Sequence, residues 1–291
     1  MKAHQAVSTN CGTLWVVATP IGNLGDLSPR AGEVLGRVDR IAAEDTRHSG
    51  TLLSHLGLDT PLVSLHEHNE RERVASLVES LQAGQSIALV SDAGTPLVSD
   101  PGFRLVRAAR AAGVPVRAVP GPSAPLTALA VAGLPSDRFC FEGFLPHAAG
   151  ARGRRLDELL ARTVTVIVFE SAHRIAAAAA DLAQRAPERE VFLGRELTKQ
   201  FEEHFRGLAG ELPGWLAADS HRLRGEFVLV LAPVPQDLDA QQLLSPEQDR
   251  LLAALLEDLP VKRAARLVAD ASGVARNRVY ARALELKKSS D

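Results

Sequence analysis

The segment Ile87–Gly102, IALVSDAGTPLVSDPG, carries the residues best suited to bind a small polar ligand. Its apolar start, Ile87–Val90, predicts a buried strand, and the Ser, Asp, Gly, Thr and Pro residues that follow predict a loop at the strand's carboxyl end. In open α/β sheets, ligands bind at that edge. The loop offers carboxylates at Asp92 and Asp100, hydroxyl groups, and glycines that let the backbone approach a ligand closely. An ordinary surface loop is the alternative, but the length of the segment favours a binding site.

Ionisable side chains also follow the predicted strand 40–43. They are Glu44, Asp45, Arg47 and His48. The alternative is a capped helix start with a local ion pair. We favour a site, because several such loops converge on one edge of the sheet, where a pocket should form. The segments FESAHR (169–174) and GRELTK (194–199) repeat the pattern in the second half of the chain.

Two other clusters have less specific chemistry. Residues 151–155, ARGRR, place three arginines in a predicted glycine-containing loop, which suits phosphate contact, although solvated loop arginines are common. His66 and His68 flank Glu67, but no third ligand lies nearby in sequence, so we expect no metal site there. The sequence contains no Walker A motif, no Gly-x-Gly-x-x-Gly after the first strand and no Gly-x-Ser-x-Gly elbow.

The composition is that of a globular protein with room for two domains and a short extension. Of its 291 residues, 46% are apolar and 23% charged, whereas aromatic residues make up only 4%, so Ala, Leu and Val must build the core. Cys11 and Cys140 are far apart, so we expect no disulfide framework and a reducing, cytoplasmic compartment. No apolar stretch reaches the length of a membrane span, and residues 1–10 lack the apolar core of a signal peptide.

Charge is distributed unevenly along the chain. The formal net charge is −2, which argues against a uniformly basic nucleic-acid binder. Residues 260–291, however, carry eight basic and three acidic residues, a net charge of +5 that leaves −7 on the rest. A basic tail of this kind suits contact with phosphates, and a solvated helical face is an equally good explanation.

Strands that alternate with helices predict βαβ units and a mostly parallel sheet in a first domain, residues 13–121. The predicted strands are 13–18, 40–43, 61–65, 86–90 and 116–119. The predicted helices are 29–38, 49–56, 70–83 and 103–112. Residues 1–12 form an N-terminal extension.

A second α/β domain is predicted over residues 122–235, with helices at 124–132 and 175–184. Its predicted strands are 138–142, 164–169, 190–195, 200–206 and 226–232. The short link between the third and fourth of these strands predicts an antiparallel hairpin, and therefore a mixed sheet. Residues 233–244 are predicted to be a linker. The remaining region, 236–291, is predicted to be helical, with a helix–turn–helix-like pair at 261–271 and 275–286.

With these residues in view, the chain resembles a known family from about residue 13 to 232. The blocks VATPIGNLGD, AEDTRHSG, LVSDAGTPLVSDPG, VPGPSAP, GLPSDRFCFEGFLP, FESAHR and GRELTK occur in order and are similar to the signature blocks of the bacterial 16S ribosomal RNA 2′-O-ribose cytidine methyltransferases. These enzymes belong to the tetrapyrrole methylase superfamily, which binds S-adenosylmethionine. The blocks AEDTRHSG and GFLP resemble the RNA-modifying branch. The C-terminal helices resemble the family less tightly.

The resemblance implies two α/β domains with the cofactor in the cleft between them, a homodimer, and methylation of a cytidine ribose in the decoding region of 16S rRNA within the small ribosomal subunit. Carried over by motif, the implied cofactor contacts are Pro20, Gly22, Asp92, Ala93, Gly94, Thr95, Leu97, Val98, Pro122, Ser123, Ala124, Phe169, Glu170 and Gly225. The arginines expected to hold RNA phosphates are Arg47, Arg152, Arg154 and Arg155.

A ribose hydroxyl is a weak nucleophile, so a proton acceptor at the cleft would help methyl transfer. The candidates are Glu44, Asp45, His68 and Asp100, and no spacing selects among them. Two rival functions stay open at this point. One is methylation of a tetrapyrrole or another small acceptor, and the other is a ribosome assembly factor that binds RNA without catalysis.

Overall fold

The computed structural model describes residues 11–234 and 244–288. The chain divides into two compact units between Pro233 and Val234. Most of the predicted N-terminal extension and of the predicted linker 233–244 lies outside the described residues.

The first sheet is entirely parallel, as predicted. Its strands are β1 (Leu14–Val17), β2 (Arg40–Ala43), β3 (Leu62–Ser64), β4 (Ile87–Val90) and β5 (Val116–Val119). They lie in the order β3-β2-β4-β1-β5. All four residues of β4 are buried, as expected for an inner strand of a sheet that is covered on both faces. Because the strands are parallel, the loops after β1, β2 and β4 emerge at one edge.

Helices cover both faces of this sheet. They are α1 (Pro29–Leu35), α2 (Thr46–Leu56), α3 (Glu70–Gln82) and α4 (Phe103–Ala111). Helix α1 begins as predicted, with Ser28 accepting a hydrogen bond from the Ala31 amide at 3.2 Å and Pro29 in the first turn. The prediction that α2 starts at Ser49 was wrong by three residues, because Asp45 caps the helix and it begins at Thr46.

The second sheet is mixed, as predicted, and follows helix α5 (Ala124–Ala132). Its strands are β6 (Phe139–Phe144), β7 (Thr165–Ser171), β8 (Glu190–Arg195), β9 (Glu203–Leu208) and β10 (Glu226–Leu231). The order is β6-β7-β10-β8-β9; β6 and β7 are parallel, whereas the other neighbours, including the predicted β8–β9 hairpin, are antiparallel. The remaining helices of this unit are α6 (Ala149–Leu160), α7 (Ile175–Arg185) and α8 (Leu212–Ala217).

Residues 151–155 lie inside α6, so the prediction of a glycine-containing loop there was wrong. Gly153 is a packing residue. A Cβ built on it would lie 2.0 Å from Nη2 of Arg185, so the glycine makes room for that guanidinium within the fold. The packing of α6 against Arg185 thus outweighs the weak helix propensity of glycine.

The C-terminal unit is helical, with the predicted helical pair at its end. It comprises α9 (Pro246–Asp258), α10 (Val261–Ser272) and α11 (Arg276–Lys288). Ser245 and Gln248 form a capping box at the start of α9. Gly273 ends α10 in the left-handed conformation, with φ 74°. No helix of the described residues is long and apolar enough to cross a membrane.

One buried carboxylate fixes the start of α4. The N-cap residue of this helix is Gly102, which has no side chain to accept hydrogen bonds from the first amides. Oε1 of Glu70, in the first turn of α3, accepts hydrogen bonds from the amides of Gly102 at 3.2 Å and Arg104 at 2.9 Å. Glycine is required at 102, because φ is 120° and a Cβ would lie 2.6 Å from a methyl group of Leu89.

We expect Glu70→Ala to lower the free energy of unfolding by about 2 kcal/mol, because it leaves the amides of buried Gly102 and of Arg104 without this acceptor. Chemical denaturation measures this change. The matched control is Glu72→Ala, in the same turn of α3 but exposed, which should change stability by no more than about 0.5 kcal/mol. Equal losses in the two variants would contradict the capping role.

Candidate active site

A cleft of about 460 Å³ lies between the carboxyl edge of the first sheet and the second sheet. Twelve of the residues predicted from the sequence line it: Glu44, Asp92, Ala93, Gly94, Thr95, Val98, Asp100, Ser123, Ala124, Phe169, Glu170 and Gly225. They come from the loops after β2 and β4, the start of α5, the end of β7 and the residue before β10. Elements far apart in sequence therefore meet at one concave surface, as ligand sites in α/β folds do.

Backbone hydrogen bonds hold the loops after β1 and β4 together. The amide of Thr19 donates to the Gly94 carbonyl at 2.9 Å, and the amide of Gly94 donates back at 3.1 Å. The Thr19 hydroxyl adds a bond to the Ser91 carbonyl at 3.2 Å. Gly94 has φ 79°, and a Cβ would lie 3.2 Å from Ile21, so a larger residue would strain the contact.

The same loop carries two strained residues. Leu97 and Ser99 have φ of 75° and 68°, in the left-handed region that non-glycine residues rarely adopt. Ser99 lines the cleft. The side chain of Leu97, a predicted cofactor contact, instead packs against the core that contains Leu105, while its neighbour Val98 faces the cleft. The half-buried leucine thus anchors the strained loop.

Three other predicted cofactor contacts lie beside the cleft. Pro20 and Gly22 line a second, smaller cavity of about 250 Å³, together with His48, and Asp92 lines both cavities. Pro122 is outside the lining of either cavity, but its carbonyl accepts a hydrogen bond from the Thr95 hydroxyl at 3.0 Å. It therefore fixes the end of β5 against the loop after β4.

Three carboxylates, Glu44, Asp92 and Asp100, converge on the cleft. Burial raises the pKa of Asp100 to about 6, helped by the charge of Asp92 and opposed by a hydrogen bond with Ser91. Burial also raises the pKa of Glu44, and the charges of Asp100 and Asp92 act in the same direction. Perturbed carboxylates of this kind are frequent at catalytic sites, because a raised pKa brings proton exchange near neutral pH.

The other two base candidates stand apart from the cleft lining. Asp45 caps α2, accepting from the Arg47 amide at 2.8 Å, and its other oxygen is 2.9 Å from the Arg47 guanidinium. These hydrogen bonds with Arg47 hold the pKa of Asp45 well below its usual range, which makes it a weak proton acceptor. His68 lies in the turn before α3, where its ring is 5.9 Å from that of His66.

Glu170 has an unpartnered oxygen at the cleft. Its side chain is fully buried, and Oε1 accepts hydrogen bonds from the Ser171 amide at 2.7 Å and from Arg174 at 2.7 Å. Oε2 is buried and has no hydrogen-bond partner. A buried carboxylate oxygen without a partner is costly, so its place in the cleft lining indicates a ligand that donates a hydrogen bond there.

Several lining residues were not predicted from the sequence. The apolar ones include Phe144, whose ring packs edge-to-face on Phe169 with centroids 5.5 Å apart, and Leu197. Both lie in quoted blocks, GLPSDRFCFEGFLP and GRELTK, but an apolar side chain has no chemistry that singles it out within a block. Lys199, in the quoted GRELTK block, was not assigned a role either; it pairs with Glu196 at 2.9 Å and with the lining residue Glu226 at 2.7 Å.

The four predicted RNA-binding arginines have different surroundings. Arg47 is 91% exposed and pairs with Asp45. Arg152 is buried and pairs with Asp181 at 2.8 Å, and Arg155 pairs with Glu142 and Glu158. Arg154 is exposed. Two of the four are thus engaged inside the protein, whereas the side chains of Arg47 and Arg154 are open to a ligand. Within residues 11–234 and 244–288, no three His, Cys, Asp or Glu side chains are arranged to hold a metal ion.

Comparison with known proteins gives two family matches. Residues 13–213 match Tetrapyrrole (Corrin/Porphyrin) Methylases, and residues 242–287 match the RsmI C-terminal HTH domain. Several relatives are named ribosomal RNA small subunit methyltransferase I. The one from Escherichia coli O157:H7 is 48% identical, and the match covers 98% of this chain and 99% of the relative. The one from Pseudomonas aeruginosa is also 48% identical, and the match covers 97% of this chain and 100% of the relative. A solved structure of uroporphyrin-III C-methyl transferase from Thermus thermophilus complexed with S-adenyl homocysteine shares the fold, with a TM-score of 0.51, 19% identity, and coverage of 76% of this chain and 97% of that one.

We expect the raised pKa of Asp100 to make the protein less stable as pH rises. The folded state binds this proton more tightly than the unfolded chain, in which the Asp100 carboxyl has its ordinary pKa of 3.8. The stabilisation that protonation supplies is therefore complete below about pH 4 and lost as pH rises through about 6. Asp100→Asn should thus raise the Tm by a few degrees at pH 8 and leave it unchanged at pH 4, measured by calorimetry.

Asp45→Asn is the matched control with the opposite sign. The lowered pKa of Asp45 stabilises the fold above the pKa of the unfolded chain, so this variant should lose stability at pH 8. An Asp100→Asn variant whose Tm follows the wild type at both pH values would contradict the buried-carboxylate account.

Proposed function

The chain belongs to the tetrapyrrole methylase family, in its ribosomal RNA small subunit methyltransferase I branch, and we propose that it transfers a methyl group from S-adenosylmethionine to the 2′-hydroxyl of a cytidine ribose in the decoding region of 16S rRNA. Similarity over almost the whole chain to relatives of that name carries the proposal, because it includes the cleft and the C-terminal helices. The substrate is the small ribosomal subunit, and the protein acts as a homodimer in the cytoplasm.

The residues of the cleft fit S-adenosylmethionine. A cavity of about 460 Å³ is in the size range of cofactor sites, and its lining combines apolar side chains with a few polar groups. The free oxygen of Glu170 suits a hydroxyl or amino group, and Phe144, Phe169 and Leu197 offer apolar surfaces. When bound, the cofactor supplies an electrophilic methyl group on a sulfonium.

We assign the cofactor contacts to the residues predicted from the family motifs. The lining residues would contact it directly: Asp92, Ala93, Gly94, Thr95, Val98, Ser123, Ala124, Phe169, Glu170 and Gly225. The other four predicted residues would act indirectly, by fixing the loops after β1, β4 and β5 that carry the contact residues. They are Pro20, Gly22, Leu97 and Pro122. Gly225 has φ 99°, and a Cβ there would lie 2.5 Å from Oε1 of Glu196, so the residue directly before β10 must be glycine.

The acceptor hydroxyl must meet both the methyl donor and a proton acceptor, and positioning supplies much of the rate. Asp100 is the strongest candidate base, because it lines the cleft and its pKa of about 6 leaves it ionised yet basic near neutral pH. Glu44 lines the same wall. Asp45 and His68 are the weaker candidates, since neither lines the cleft.

We propose that the acceptor nucleotide approaches from the side of the second cavity, which adjoins the cleft at Asp92. Arg47, next to His48 of this cavity, would contact an RNA phosphate there. Arg154 is the exposed arginine of the α6 cluster and would contribute charge, whereas Arg152 and Arg155 would first have to leave their carboxylate partners.

Purified protein should transfer label from radioactive S-adenosylmethionine to small ribosomal subunits from a strain that lacks this modification. Label mapped to one ribose 2′-oxygen is the expected result. Label on a base, or transfer to a tetrapyrrole but not to subunits, would contradict the proposed acceptor. Cofactor binding without transfer to either substrate would indicate an assembly factor.

With saturating subunits, we expect Asp100→Asn to lower kcat by about 100-fold or more, because proton transfer by a positioned base contributes about 10²–10⁴. Wild-type kcat should rise with pH through about 6 and then level, and the variant should lose this step. Asp45→Asn and His68→Ala are the controls and should keep kcat near wild type. A near-wild-type rate in Asp100→Asn and Glu44→Gln alike would reject a carboxylate base.

A further inference from the structure

Helix α4 exposes one aromatic and two cationic residues in a single line. Phe103, Arg107 and Arg110 are spaced i, i+4 and i+7, which places them on one face of the helix, and all three are exposed. Leu105 and Ala109 occupy the opposite face and are buried. We call Phe103, Arg107 and Arg110 the α4 stripe.

A need for solubility does not explain the α4 stripe. Phe103 is 62% exposed, although burying its ring would be favourable. Among the described residues, neither Arg107 nor Arg110 makes an ion pair or a side-chain hydrogen bond, and α4 contains no acidic residue. The stripe therefore combines an open π-face with two unpaired guanidinium groups, a combination that suits nucleic acid better than an apolar partner.

The stripe begins next to the cleft. Asp100 lines the cleft, and Phe103 follows three residues later, a chain length of at most about 11 Å. The start of α4 is held in place by the bonds from Glu70 to the Gly102 and Arg104 amides. Phe103, between these two amides, is therefore held a short distance along the chain from Asp100.

We propose that the α4 stripe binds the single-stranded RNA that flanks the modified nucleotide, with Phe103 stacking on a base and Arg107 and Arg110 contacting phosphates. The inference rests on the proposed function, which requires an RNA strand to pass the cleft. Proteins that recognise unpaired RNA combine these two contact types, since stacking accepts any base and arginines follow the backbone. Arg104 has another role, because it lies near Glu70 at 3.6 Å.

The test compares binding of unmodified small subunits by wild type, Phe103→Ala and Arg107→Gln/Arg110→Gln over a range of salt concentrations. The control is Arg37→Gln/Arg40→Gln, which removes the same charge from exposed residues at the amino edge of the first sheet. The stripe double variant should bind about tenfold more weakly and reduce the salt slope by about 1.4, the value for two lost phosphate contacts on a single strand. The control should match wild type.

Phe103→Ala should weaken binding about tenfold with an unchanged salt slope, because stacking releases no counterions. The variant Arg107→Lys/Arg110→Lys keeps both positive charges and should therefore show the same salt slope of binding as the wild type. Binding of S-adenosylmethionine, measured in parallel, should be unchanged in every variant. Equal affinity and slope in wild type and the stripe double variant would overturn the inference, as would an equal loss in the control. Failure of the wild type to methylate subunits would instead reject the proposed function, so the two failures are distinguishable.

Discussion

The reciprocal backbone bonds between Thr19 and Gly94 are the constraint on which the cleft depends. The parallel sheet brings the loops after β1 and β4 to one edge, and these two bonds, with the bond from the Thr19 hydroxyl to the Ser91 carbonyl, fix their mutual distance. From this junction the chain continues to Asp100 on one side and packs against Ile21 on the other. The Asp92 carboxylate extends the network by accepting a hydrogen bond from the Asp45 amide at 3.0 Å. Hydrogen bonds thus connect the loops after β1, β2 and β4 into one wall of the cleft.

The opposite wall of the cleft, formed by the second sheet and its loops, contains ion pairs. Glu170 is held by Arg174 through one oxygen and leaves the other without a partner. Lys199 joins Glu196 and Glu226; partial burial would lower its pKa, but the two carboxylates raise it. The cleft therefore has carboxylates on both sides, and only the second wall pairs them with cations. Burial is the main cause of the raised pKa values of Glu44 and Asp100, and the neighbouring carboxylates of the first wall act in the same direction.

The sequence was sufficient to predict the sheet types, because strand periodicity and loop punctuation are local signals. The family motifs, together with the loops after β2 and β4, predicted twelve of the residues that line the cleft. The sequence did not predict the features that depend on contacts between residues far apart in the chain. Gly153 indicated a loop, but the Arg185 guanidinium requires a small residue in a helix there. Asp45 could not be separated from Asp100 as a base, since the difference lies in burial and in the partner Arg47. The isolation of Glu170 Oε2 and the line formed by Phe103, Arg107 and Arg110 are visible only once the fold is known.

The side chain of Lys199 packs directly against Gly22, although the two residues lie 177 positions apart in the sequence. A Cβ at Gly22 would sit 2.3 Å from Cγ of Lys199, so the stem of the lysine occupies the place of a side chain at 22. The two sites are therefore not free to vary independently during evolution. The backbone adds a second constraint, because φ of Gly22 is 145°, a conformation that residues with a side chain rarely adopt. Alanine at 22 would therefore need both a strained backbone and a shortened or redirected residue 199, and the latter change would release Glu196 and Glu226 from their shared cation.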